Sequence, residues 1–99
     1  MSVSNISGIQ PGGVIVHVTP TTLGTTIYNP PFRAIRTVNS GILVVVDIGG
    51  NVVDLNFAAS ETRPVVVSQV LSSGVGGPYS SNPGGTLTTT ITGQIEGIT

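Results

Sequence analysis

The chain contains no cysteine, no lysine and no tryptophan, and only seven of its 99 residues carry a charged side chain. Without cysteine there is no disulfide framework, no thiolate nucleophile and no cysteine-based zinc site. Three arginines without a lysine neutralise few phosphates, which excludes sequence-independent nucleic-acid binding. The longest uninterrupted apolar run, residues 41–46 with Gly41 counted, falls far short of the roughly 20 residues of a membrane-spanning helix. Met1-Ser2-Val3-Ser4-Asn5 has no basic region and leads into no long apolar stretch, so no signal peptide is expected. Strong helix formers are also scarce, with three Ala, five Leu, two Glu and one Met.

What is present favours strands and turns. Val, Ile and Thr supply 38 residues, Gly 14 and Ser 10. The length suits one domain with a core just large enough to fold alone. Disorder is not expected, because disordered chains are polar and highly charged and this one is neither. Six of the seven charges (Arg33, Arg36, Asp47, Asp54, Glu61 and Arg63) fall between residues 33 and 63, and the seventh is Glu96. An ordinary soluble domain carries about 25% charged residues; here the figure is 7%. A surface built mostly of Ser, Thr, Asn, Gly and backbone is tolerable when neighbours cover much of it, so the uncharged ends are expected to face other subunits.

Residues 1–12 read as an irregular N-terminal arm punctuated by Gly8, Pro11 and Gly12, and residues 13–99 as the folded domain. Alternation of Val14, Val16 and Val18 against Ile15, His17 and Thr19 marks a first strand that ends at Pro20. Residues 25–28 form a weak second strand, and Asn29-Pro30-Pro31 enforces an extended turn. Residues 32–38 make a third strand, with Asn39-Ser40-Gly41 turning after it. Residues 42–48 are apolar on nearly both faces, as a central strand requires. Gly49-Gly50, with or without Asn51, then turns the chain into the alternating strand 52–57. Pro64 opens a strand over 65–71, residues 72–85 form a long Gly/Ser/Pro-rich loop, and a Thr-rich strand covers 86–95. Six to seven short strands without a helix imply an all-β, single-domain antiparallel β-sandwich or small barrel.

Few residues offer chemistry. His17, the only histidine, is expected as an ordinary edge or half-buried strand residue, since a metal site needs several convergent ligands. With a two-residue loop at Gly49-Gly50, Asp47 and Asp54 become diagonal neighbours on one face, roughly 7–8 Å apart. That separation is compatible with glycoside hydrolysis, yet no aromatic platform accompanies the pair, and a loop longer by one residue changes the pairing. The pair therefore reads as a polar edge that discourages strand-to-strand association. No Gly-x-Ser-x-Gly elbow and no phosphate loop occur. Asn5-Ile6-Ser7 fits a glycosylation sequon, without a secretory signal to give it meaning. No enzyme activity, cofactor or metal is expected. The residues marked for an interface are Arg33, Arg36, Glu61, Arg63 and Tyr79, with one of the first two arginines expected to pair with Glu61 and the other to meet a partner.

The order Arg33-Ala34-Ile35, Gly41, the Gly49-Gly50 hairpin, residues 52–57, then Arg63-Pro64-Val65-Val66-Val67 and Val70, resembles the small head-spike-base and capsid-decoration proteins of tailed phages and gene-transfer agents. The resemblance covers roughly residues 30–74. Residues 72–85 intervene where the family pattern runs soon after the Pro-Val strand into a Gly-Thr-Thr-type strand. It implies a compact β-domain seated on an icosahedral shell, made in the bacterial host cytoplasm and bound to the major capsid protein or other virion proteins. The expected state is a homo-oligomer, a trimer first. Two other expectations stand beside this one: a tail, baseplate or fibre component, and a β-module that recognises carbohydrate through Tyr28 or Tyr79.

Overall fold

A computed structural model describes residues 14–99. The expected arm over residues 1–12 lies outside the described residues. Among the described residues there is no helix. Eight strands follow in order: β1 (Ile15–His17), β2 (Phe32–Thr37), β3 (Gly41–Asp47), β4 (Val52–Phe57), β5 (Glu61–Leu71), β6 (Ser73–Val75), β7 (Thr86–Thr88) and β8 (Ile95–Ile98). Six form one antiparallel sheet in the order β1-β8-β2-β5-β3-β4, and β6 pairs with β7 in a second, small sheet. The fold is all-β and sandwich-like, with one or two more strands than the sequence patterns suggest.

The sheet folds over because β5 changes partners midway. Its first half pairs with β2 and its second half with β3, and Val67 stands opposite both Phe32 and Asp47. The register slips on each side of Val67, so β5 carries one extra residue towards β2 and another towards β3. Bulges of this kind bend a strand and raise its twist. They also shift the alternation: Val67 and Val70, three residues apart, both enter the main core. That core joins Val18, Phe32, Ile35 and Ile95 from one arm of the sheet to Leu43, Val45 and Phe57 from the other, with Ile91 added from the segment between β7 and β8.

β3 is buried on both faces, as its apolar sequence requires. Leu43 and Val45 face the main core, while Val44 and Val46 pack with Leu71 and Leu87 in a second cluster. Three expectations need correction. Residues 25–28 form no strand; among residues 21–28 only Thr21 bridges to Leu71, and Gly24 N donates to the buried Gln69 Oε1 at 2.8 Å. Residues 72–85 are not one loop, since β6 occupies their first part. The Thr-rich strand stops at Thr88, because the next threonines use their hydroxyls as ladder groups: Val44 N donates to Thr89 Oγ1 and Ile42 N to Thr90 Oγ1, each at 2.9 Å.

The β3–β4 hairpin is longer by one residue than Gly49-Gly50 alone predicts. Val44 faces Asp54, Val46 faces Val52, and Asp47 N donates to Asn51 O at 3.0 Å. Ile48, Gly49 and Gly50 make the connection, with Gly50 at φ 84°, the left-handed position that glycine fills at the end of a three-residue loop. This register sends Asp47 and Asp54 to opposite faces and removes the diagonal carboxylate pair.

Candidate functional site

β1, β8, β2 and the first half of β5 turn one face to the core and the other outward. Their registers align Ile15, Ile98, Ala34 and Pro64 in one outward row. The adjacent outward row is His17, Glu96, Arg36 and Thr62. Ile15 is 61% exposed, Pro64 is exposed, and Val66 beyond it is 41% exposed. Ile98 and Ala34 between them are half-buried, so among the described residues an apolar stripe, most open at its two ends, lies beside a polar one.

The polar row is linked by hydrogen bonds. Arg36 Nη1 donates to Glu96 Oε1 at 3.0 Å, and Gln94 Nε2 donates to Glu96 Oε2 at 3.1 Å while lying 2.9 Å from His17 Nε2. Arg33, exposed, donates from Nη2 to Thr99 O at 3.1 Å. Neither Arg33 nor Arg36 meets Glu61, contrary to expectation; Arg63 does, with Nη2 at 3.3 Å from Glu61 Oε2. The arginines at 33 and 36 also both lie outside the core, because the slip between Phe32 and Ala34 turns Phe32 and Ile35 inward together. Arg63 covers the Phe57 ring at 4.9 Å and donates to Asn56 O, which covers part of the outer edge of β4.

A second surface lies at the end of the molecule where β3 turns into β4. Residues 76–85 connect β6 to β7 and are held by their own backbone: Gly76 N donates to Gly85 O at 2.8 Å and Gly84 N to Gly76 O at 2.9 Å. The connection is fastened to β4, with Gly77 N donating to Val52 O at 2.8 Å and both Ser81 N and Ser81 Oγ donating to the Asp54 carboxylate. Tyr79 stands on this tied loop, 78% exposed; Val75, which ends β6, and Ile48, on the β3–β4 turn, are also open to solvent.

The other charges serve the scaffold. Asp47 Oδ1 accepts from Gly49 N and Asn51 N, each at 2.9 Å, and these amides, Asn51 first, hold its carboxyl below the usual range. Ser81 does the same for Asp54, and the Ala58 amide followed by Arg63 for Glu61. Burial raises the Tyr28 phenol. Among the described residues no three of His, Asp and Glu lie together to hold a metal ion.

Of the residues marked from sequence, Arg33 and Arg36 lie outside the core on β2, Glu61 and Arg63 pair with each other, and Tyr79 stands apart on its loop. Glu96 was missed, although Glu96 and Ile98 share one parity in the final strand and a lone acid there signals an outward row. No family model, no curated protein and no solved structure matches the chain.

Proposed function

We propose that this chain is a structural virion component, a capsid-decoration or head-spike-base protein that docks on a protein shell. The observation that carries the proposal is an exposed tyrosine on a loop held rigid by hydrogen bonds and fastened to β4. An exposed aromatic on a braced loop loses little entropy on docking and suits a protein interface better than free solvent. The near-absence of charge and the sequence resemblance support a shell as the partner. In this reading Tyr79 meets the major capsid protein or a neighbouring virion protein, and copies of the chain associate with one another.

Particles purified from cells that encode the chain test this directly. The expected result is a fixed copy number of the chain per particle, with density at the head. Density on the tail, baseplate or fibre moves the assignment there. Absence of the chain from purified particles overturns the proposal, as does glycan binding that Tyr79→Ala abolishes.

A further inference from the structure

We infer that two copies of this chain pair through their outer sheet faces, about a two-fold axis parallel to the strands between β8 and β2. The inference deepens the self-association in the proposal above by naming its surface and its symmetry. It differs from the three-fold state expected from sequence.

The argument rests on the two outward rows. A rotation about that axis exchanges β8 with β2 and β1 with β5. Ile98 of one copy then faces Ala34 of the other, and Ile15 faces Pro64, so the apolar stripe covers itself. In the next row the same rotation sets Glu96 against Arg36 and Arg36 against Glu96. The two charges sit on adjacent strands and already touch within one copy, at 3.0 Å. Pairing closes them into a square of alternating sign. The Arg36 side chain is 41% exposed and so remains open to a second carboxylate. Two faces stacked in this way fit the aligned packing of sheets, about 10 Å apart and within about 30° of each other.

Edge-to-edge pairing through β1 is the alternative for a second copy, and the pattern disfavours it. The free backbone groups of β1 belong to Ile15 and His17, so a two-fold through Val16 sets each isoleucine beside a histidine and leaves the apolar stripe uncovered. The face is only four short strands wide, smaller than a standard interface. Pairing is therefore weak, with a dissociation constant on the order of 100 μM.

Sedimentation of the purified chain, from about 10 μM to about 1 mM at low salt, tests the inference with reversed charges. Wild type is expected to pass from monomer to dimer. Arg36→Glu and Glu96→Arg are each expected to stay monomeric alone, because like charges then meet across the axis. Mixed in equal amounts they are expected to pair, since one copy carries two acids at these positions and the other two arginines. Ile15→Glu, at an exposed position, is expected to lose pairing without losing the fold, and it decides the matter if the reversed variants do not fold. A wild type that stays monomeric or forms trimers overturns the inference. So does pairing that persists in Arg36→Glu alone or in Ile15→Glu, or a folded mixture that does not pair. None of these measurements uses a shell, so failure to dock on particles leaves the inference standing, and failure to pair leaves the docking proposal standing.

Discussion

Among the described residues, Thr37 holds a buried side-chain oxygen left without a partner. The side chain is fully buried. A buried hydroxyl without a partner costs roughly 1–3 kcal/mol. Thr37→Val keeps the β-branched shape and removes the orphan, so it is expected to stabilise the domain by about 1 kcal/mol and raise the melting temperature by roughly 4–8 °C in a thermal scan. Acid should act in the other direction. Asp47 and Asp54 are held below their ordinary value of 3.8 by amide and hydroxyl donors. The unfolded chain therefore takes up protons first as pH falls through that value, while the folded chain still holds both carboxylates ionised. Their stabilisation is complete above the ordinary value and is lost as pH falls through the lowered folded values. Urea midpoints measured down to pH 2 are expected to decline in wild type and to decline less in the Asp47→Asn, Asp54→Asn double variant. Neither residue announced this role in the sequence, where both read as an exposed polar pair. The donors that hold Asp54 come from Ser81, 27 positions away, and only the fold brings the two together.

At the scale of elements, strong alternation was legible and irregular backbone was not. Residues 52–57 match β4 end to end, and the double-sided apolar run at 42–48 identifies β3 within one residue at each end. The strand over 65–71 is also real, but β5 begins at Glu61, and Pro64, expected to open the strand, lies within it opposite Ala34. The bulges beside Val67 leave no mark in composition, since a run of valines satisfies either phase. Gly97 is a related case. It stands in β8 opposite Ile35, and a methyl group there would enter the Phe32 ring, which itself packs on Tyr28 with centroids 4.3 Å apart. Gly97→Ala is therefore expected to cost about 1–3 kcal/mol of stability in urea unfolding, the usual range for overpacking. The cost should shrink in a Phe32→Leu background, where the ring is gone, and an additive double-mutant cycle would show that the contact is not the cause.

Two apolar areas of the described surface carry the proposals, while Leu23, Ile27 and Val38 are exposed outside them. One is the outward stripe across β1, β8, β2 and β5, and the other is the braced loop that carries Tyr79. Different elements carry them, and no hydrogen bond described above joins them. The charged groups, by contrast, brace turns, edges and the polar row, which leaves few to keep copies apart at a net charge of −1. Such a division predicts separable behaviour. Tyr79→Ala touches an exposed side chain and should leave the melting temperature and the monomer–dimer balance as in wild type, while lowering occupancy on shells. Loss of a central interface tyrosine is worth about 1–2 kcal/mol, or roughly tenfold in affinity. Ile15→Glu should do the reverse: the isolated chain becomes monomeric while each copy still docks through its loop, so occupancy falls only by what pairing adds through effective concentration. The double variant then shows the two losses added, because distant sites without shared partners combine independently. Occupancy measured on particles for all four chains checks this, and a Tyr79→Ala chain that loses pairing together with docking would show that the two areas act as one surface.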